Sequence, residues 1–114
     1  MDDCIFCKII DKKIPSQIVF ENESVLVIRD ITPQAPVHLL ALPKKHYAGV
    51  HLVPSSENGL FQSLFSAISE VVKKENLDED SYRLVINFGE KAGQSVHHIH
   101  VHILSGRAFG WPPG

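Results

Sequence analysis

The chain has no long apolar run. Nothing in its 114 residues approaches the roughly 20 that a membrane-spanning helix needs. It has no basic block either: eleven Lys and Arg stand against thirteen Asp and Glu, for a formal net charge of -2. The phosphate-neutralising stripe of a duplex-DNA or RNA binder is therefore missing, and no nucleic-acid partner is expected. The N-terminal MDDCIFCKII is acidic and lacks a signal peptide's basic start and long apolar region. The expected compartment is the cytoplasm, without membrane association. Cysteine is scarce too. Cys4 and Cys7 are the only two, and in a reducing compartment they read as thiols or metal ligands rather than a disulfide. No repeat, low-complexity tract or linker divides the sequence. With 44% hydrophobic and 21% charged residues, residues 1–114 are expected to form one domain around one core.

Histidine is what the chain has in excess. Four of the seven fall within six residues of QSVHHIHVHIL, Gln94 to Leu104. A strand sends successive side chains to opposite faces. On a strand, His98, His100 and His102 share one face, and Ile99, Val101 and Ile103 share the other, where they can enter a core. Same-face neighbours about 7 Å apart are too distant for ring contact but suit one extended ligand. His97 would point away from the other three.

The remaining pattern predicts an α+β fold. Residues 4–12 form a short helix that stops before Pro15. Gln17–Phe20 and Val25–Arg29 flank a polar turn and form a hairpin. His38–Leu42, Tyr82–Asn87 and His97–Leu104 complete an antiparallel sheet of about five strands. Glu57–Lys74 forms one long helix with Leu60, Phe61, Leu64, Phe65, Ile68, Val71 and Val72 on its apolar stripe, capped by Ser55 or Ser56. The tail GRAFGWPPG has no regular structure.

Three explanations compete for the histidine row. It could be a wetted polar face, a metal chelate, or a phosphoryl- or nucleotidyl-transfer site in which one imidazole attacks phosphorus. The preceding Ala92-Gly93-Gln94-Ser95 favours the third. Gly93 permits close backbone approach, Gln94 and Ser95 offer an amide and a hydroxyl, and turn N–H groups suit a phosphate. Cys4-Ile5-Phe6-Cys7 is open between a redox pair, buried thiols and half of a zinc site, which would need two more ligands.

His98-Ile99-His100-Val101-His102-Ile103-Leu104 resembles the signature of the histidine triad (HIT) superfamily: His-apolar-His-apolar-His-apolar-apolar. CIFCKIIDKKI, DITPQAP, LPKKH, GQSV and GWPPG resemble, in order, its histidine triad nucleotide-binding (HINT) branch. The resemblance covers nearly the whole chain. It implies the HIT-like fold and hydrolysis of purine nucleoside phosphoramidates or acyl-adenylates, with AMP or GMP released. His100 would attack the α-phosphorus and form a covalent nucleotidyl-histidine. His102 would bond phosphate oxygens, Ser95 would donate to the leaving nitrogen, and His38 would support the nucleophile. Asn87 would lie near the phosphate and leaving group, with Gly93, Gln94 and Val96 around it. Asp30 would hold the ribose hydroxyls, and Ile5, Phe6, Ile9, Ile28, Ile31 and Leu40 would enclose the base. The chemistry would require no cofactor.

The same resemblance supplies the missing ligands of the C-x-x-C. In members that carry it, two distant histidines complete a zinc site, and they match His46 and His98. Zinc would then be structural, with His98 removed from acid–base work. The resemblance also implies a homodimer, in which the tail 105–114 reaches the neighbouring subunit and Trp111 helps shape its leaving-group side. Two alternatives remain: a dinucleoside polyphosphate hydrolase of the fragile histidine triad type, and a zinc-stabilised nucleotide-binding or scaffold module without activity.

Overall fold

The computed structural model describes residues 3–114. Its core is a five-stranded, wholly antiparallel sheet in the order β1-β2-β3-β5-β4. The strands are β1 (Ile18–Glu21), β2 (Val25–Arg29), β3 (Val37–Pro43), β4 (Tyr82–Ile86) and β5 (Val101–Ser105). The β1–β2 turn is closed by Asn22, whose Oδ1 accepts from the N–H groups of Ser24 and Val25 at 2.9 and 2.8 Å. Among the described residues no helix is long and apolar enough to cross a membrane.

The two helices cover opposite faces. Val25 and Val27 of β2, Leu39 and Ala41 of β3, and Val101 and Ile103 of β5 pack under α2 (Gly59–Lys74), against Leu64, Ala67, Ile68, Val71 and Val72. The alternate residues Leu26, Ile28, Leu40 and Leu42 meet α1 (Ile5–Ile10) through Phe6 and Ile9. The period of two thus builds both faces from each central strand.

Three sequence expectations are corrected. β5 begins at Val101, four residues later than predicted. Its neighbour β3 ends at Pro43, which has no N–H to extend the ladder past the Ala41–Val101 pair. His98 and His100 lie in the irregular lead-in, which is held instead by Ile99 N–H donating to Tyr47 O at 2.7 Å. α2 starts at Gly59 with Asn58 at the cap, and no side chain caps it. Ser55–Glu57 form a 3-10 turn, and the Glu57 carboxylate is taken by Lys45 and by Tyr47 Oη. Phe65, predicted in the core stripe, is 45% exposed and borders a hollow with Tyr82 and Leu84 beside edge strand β4.

Candidate active site and metal centre

The alternation predicted for the histidines survives the late start of β5. Ile99, Val101 and Ile103 are buried on the α2 face. On the α1 face, Phe6 lies edge-on to His98 and His100, with ring centroids 6.0 and 5.0 Å away. The rings of His100 and His102 meet at 5.0 Å, closer than the strand spacing of about 7 Å suggests, and His100 lies just before the regular strand. His97 falls outside the pattern. It precedes the regular strand and borders a hollow with Cys4 and His46.

Hydrogen bonds fix the tautomers. His100 Nδ1 lies 2.7 Å from the carbonyl oxygen of His98. A carbonyl accepts only, so Nδ1 carries the proton and Nε2 keeps its lone pair. His38 Nδ1 accepts the Gln34 N–H at 3.0 Å, so its proton is on Nε2. That nitrogen donates to His102 Nδ1 at 2.9 Å, with Asp30 Oδ2 further away at 3.4 Å. His102 is left with an N–H on Nε2. One imidazole therefore offers a lone pair, and its neighbour offers a donor. Burial holds all three rings below the ordinary imidazolium range, His102 at about 4. They are neutral near pH 7.

His100 and His102 close one end of a cavity of about 320 Å³, at the small end of the range for ligand sites. Ile5, Phe6, Ile9, Ile28, Asp30, Ile31, Leu40, Ser95 and Val96 line it, as do four residues the sequence reading missed: Ile14, Pro15, Ser16 and Arg29. The first three form the α1–β1 loop. Pro15 marks it as a helix stop but carries no sign of a binding wall. The Arg29 guanidinium turns away to Glu75, 2.9 Å distant. Asp30 Oδ1 accepts the Thr32 N–H at 2.8 Å, and its Oδ2 faces His38. Ile31 is 95% exposed at the rim.

Asn87, Gly93, Gln94 and His38 do not line the cavity. Gln94 is buried and braces its loop: Oε1 accepts from Gly89 N–H at 2.9 Å, and Nε2 donates to Ala48 O at 2.8 Å. Gly93 has φ +95°, a conformation that favours glycine, and sits beside the Asn87 amide. A shallower hollow of about 450 Å³ near the start of α2 contains Lys44 and Lys45. Both pair with carboxylates, Glu21 and Glu57.

Cys4, Cys7, His46 and His98 converge, their donor atoms all within 4.8 Å of one another. Cys4 Sγ to His98 Nδ1 is 3.6 Å, Cys7 Sγ to His98 Nδ1 is 3.6 Å, Cys7 Sγ to His46 Nδ1 is 3.3 Å, and the two Nδ1 atoms are 3.1 Å apart. A tetrahedral S2N2 zinc site with bonds of about 2.0–2.3 Å has edges of about 3.3–3.8 Å. His98 Nε2 donates to Pro43 O at 2.8 Å, so its Nδ1 lone pair faces the cluster. Burial raises the Cys7 thiol to about 11, so a cation is what would hold it as a thiolate. The donor set fits a metal ion. A second group, Asp30, His38 and His102, is joined through the His38 Nε2 proton donated to His102 Nδ1.

A family model described as scavenger mRNA decapping enzyme C-term binding matches residues 3–109. A 14 kDa zinc-binding protein from Brassica juncea is 47% identical over 114 residues, covering 98% of this chain and 100% of the relative. An uncharacterized HIT-like protein from Synechococcus elongatus is 42% identical, with 99% and 98% covered. The chain belongs to the histidine triad family. The fold agrees: the crystal structure of a HIT family hydrolase from Legionella pneumophila matches at a TM-score of 0.93 and 45% identity, covering 98% of this chain and 100% of that one. Of the row that resembles the family's signature, His98, His100 and His102, only the last lies inside the regular strand.

Proposed function

We propose that the protein hydrolyses purine nucleoside phosphoramidates or acyl-adenylates and releases AMP or GMP. The observation that carries this reading is the His100 lone pair, fixed by the His98 carbonyl at the end of an apolar slot beside the His102 donor. His100 Nε2 attacks the α-phosphorus and the bond to the leaving group breaks. The leaving nitrogen gains a proton, with Ser95 Oγ as the nearby donor. Water then attacks the nucleotidyl-histidine, its proton restores the Ser95 hydroxyl, and the P–N bond breaks to return imidazole and free the monophosphate. Imidazole both attacks and departs readily, so one hard substitution becomes two easier ones. The His102 N–H bonds phosphate oxygens whose charge grows in the transition state. Asp30 accepts the ribose hydroxyls, while the flat apolar walls accept either purine.

Cys4, Cys7, His46 and His98 would hold zinc, which would fasten the α1 segment to the sheet structurally. The exposed Tyr82, Phe65 and Ile86 around edge strand β4 support a homodimer paired through that edge, with the tail 105–114 and Trp111, 83% exposed, reaching the partner. The soluble substrates and free thiols suit the cytoplasm.

The test is AMP release from adenosine 5′-phosphoramidate by wild type and His100→Ala, without added metal. Activity in wild type alone is expected. Equal activity in both removes His100 as nucleophile. A family model described by mRNA decapping favours a second reading, hydrolysis of a dinucleotide. A dinucleoside polyphosphate turned over faster than the phosphoramidate would select it.

A further inference from the structure

We infer that the Cys4–Cys7–His46–His98 centre, when it holds its metal, positions the nucleotide site, setting both the wall of the base slot and the orientation of His100. The inference rests on the nucleotide-hydrolase reading and adds a control point to it.

Two arms connect the centre to the slot. The first is α1. Six residues are far too few for a helix to persist on its own, so α1 depends on what anchors it. Cys4 is its N-cap, with the Cys7 N–H donating to Cys4 Sγ, and the two sulfurs face His98 and His46. Ile5 and Phe6 lie between the cysteines in sequence, and Ile9 lies one turn on. All three line the slot. Metal donors and base-slot wall therefore occupy the same turns of one short helix.

The second arm is His98. Its ring is fully buried, tied at Nε2 to Pro43 O and directed at Nδ1 toward the cluster. Its own carbonyl accepts the His100 Nδ1 proton. A bond from Nδ1 to a metal fixes the ring, the ring fixes the backbone of residue 98, and that backbone fixes which His100 nitrogen faces phosphorus. Phe6 bridges the arms, edge-on to both rings. Cys4, Cys7 and His46 are thus positioning residues. Their effect on KM runs through α1, and their effect on kcat runs through His98.

The experiment compares the zinc-loaded full chain with the same protein stripped by a chelator. Calorimetry reads AMP affinity, steady-state kinetics reads kcat and KM, and ¹⁵N NMR reads the His100 Nδ1 proton. Chelator competition reads zinc affinity with and without AMP. Stripping is expected to weaken AMP binding by about tenfold, and linkage requires AMP to tighten zinc by the same factor. The protected Nδ1 proton of His100 should exchange faster and kcat should fall. AMP and zinc affinities that ignore one another, with an unchanged kcat and His100 signal, overturn the inference. Should the stripped chain unfold, Co²⁺- and Cd²⁺-loaded forms decide. Different ion sizes are expected to shift kcat and AMP affinity at an unchanged circular dichroism spectrum, and identical constants in all three metal forms overturn it. If the zinc form binds no AMP, the functional reading fails instead. The His100 signal then decides the positioning alone, and an unaltered Nδ1 proton on stripping overturns it.

Discussion

Replacing His38 with leucine tests whether a relay of tautomers organises the site. His38 touches no part of the slot surface, yet its two ring nitrogens connect the Gln34 N–H to His102 Nδ1 at 3.0 and 2.9 Å. Leucine fills similar space without either bond. Gln34 is exposed, so water replaces its lost acceptor at little cost. His102 Nδ1 is more enclosed, and an acceptor left without a donor there costs about 1–3 kcal/mol. The unfolding free energy measured in urea should fall by that amount. The kinetic effect differs in kind. Removing a donor aimed at developing charge costs about 10²–10³ in kcat. In His38→Leu the His102 donor remains and loses only its orientation, so a drop of about tenfold is expected. AMP affinity should change less than kcat, because the apolar walls of the slot are untouched. His38→Gln, which can both accept and donate, should recover most of the loss. The assay is AMP release from adenosine 5′-phosphoramidate, with ¹⁵N NMR of His102 alongside. Wild-type kcat in His38→Leu, with the His102 proton still on Nε2, would refute the relay.

Three further outcomes follow from the same geometry. Ile103→Ala, at a fully buried position under α2, should cost about 2–5 kcal/mol in urea unfolding and leave KM nearly unchanged. Asp30→Asn should raise KM several-fold for a ribonucleotide substrate and leave a 2′,3′-dideoxy analogue unaffected; equal effects on both would remove Asp30 from the ribose. Acid should destabilise the fold through His102. Its folded pKa of about 4 lies below the unfolded 6.5, so its contribution is whole above about pH 6.5 and lost as pH falls to about 4, up to about 3 kcal/mol. Urea unfolding at pH 7 and 4.5 should show that loss, with a smaller pH dependence in His102→Phe.

Period-two hydrophobicity made the sheet legible, because one face of each central strand had to meet α2 and the other α1. Val25–Arg29 matches its predicted span residue for residue for this reason. Element ends were less legible. The β5 boundary depends on Pro43 in a strand nearly sixty residues away, and local pattern contains no trace of that pairing. Phe65 obeys helical periodicity yet stays exposed, since the stripe is wider than the sheet beneath it. The cluster of Cys4, Cys7, His46 and His98 came from resemblance and not from spacing, and the structure brings all four donors together. Ile14, Pro15 and Ser16 went unseen because a loop wall requires no particular residue type. Gln94 read as a ligand-facing amide, but both ends of its side chain are engaged by backbone.

The unequal helices explain why a site exists on one face only. α2 has sixteen residues, about 24 Å of helix, enough to seal the sheet beneath it. α1 has six, about 9 Å, and covers only part of the opposite face. The remainder is the slot, closed by the α1–β1 loop on one side and by His100 and His102 on the other. A ligand entering it supplies apolar contacts that a longer helix would otherwise make. The arrangement also separates the two sides of the sheet along six residues, His98 to Ile103. Ile99, Val101 and Ile103 hold the α2 side, while His98 faces the Cys4–Cys7–His46 cluster and His100 and His102 face the slot. A register slip of one residue would exchange the two sets and bury imidazoles under α2. Such a slip is opposed from both faces at once: by the apolar core, and by the bonds that fix each histidine ring.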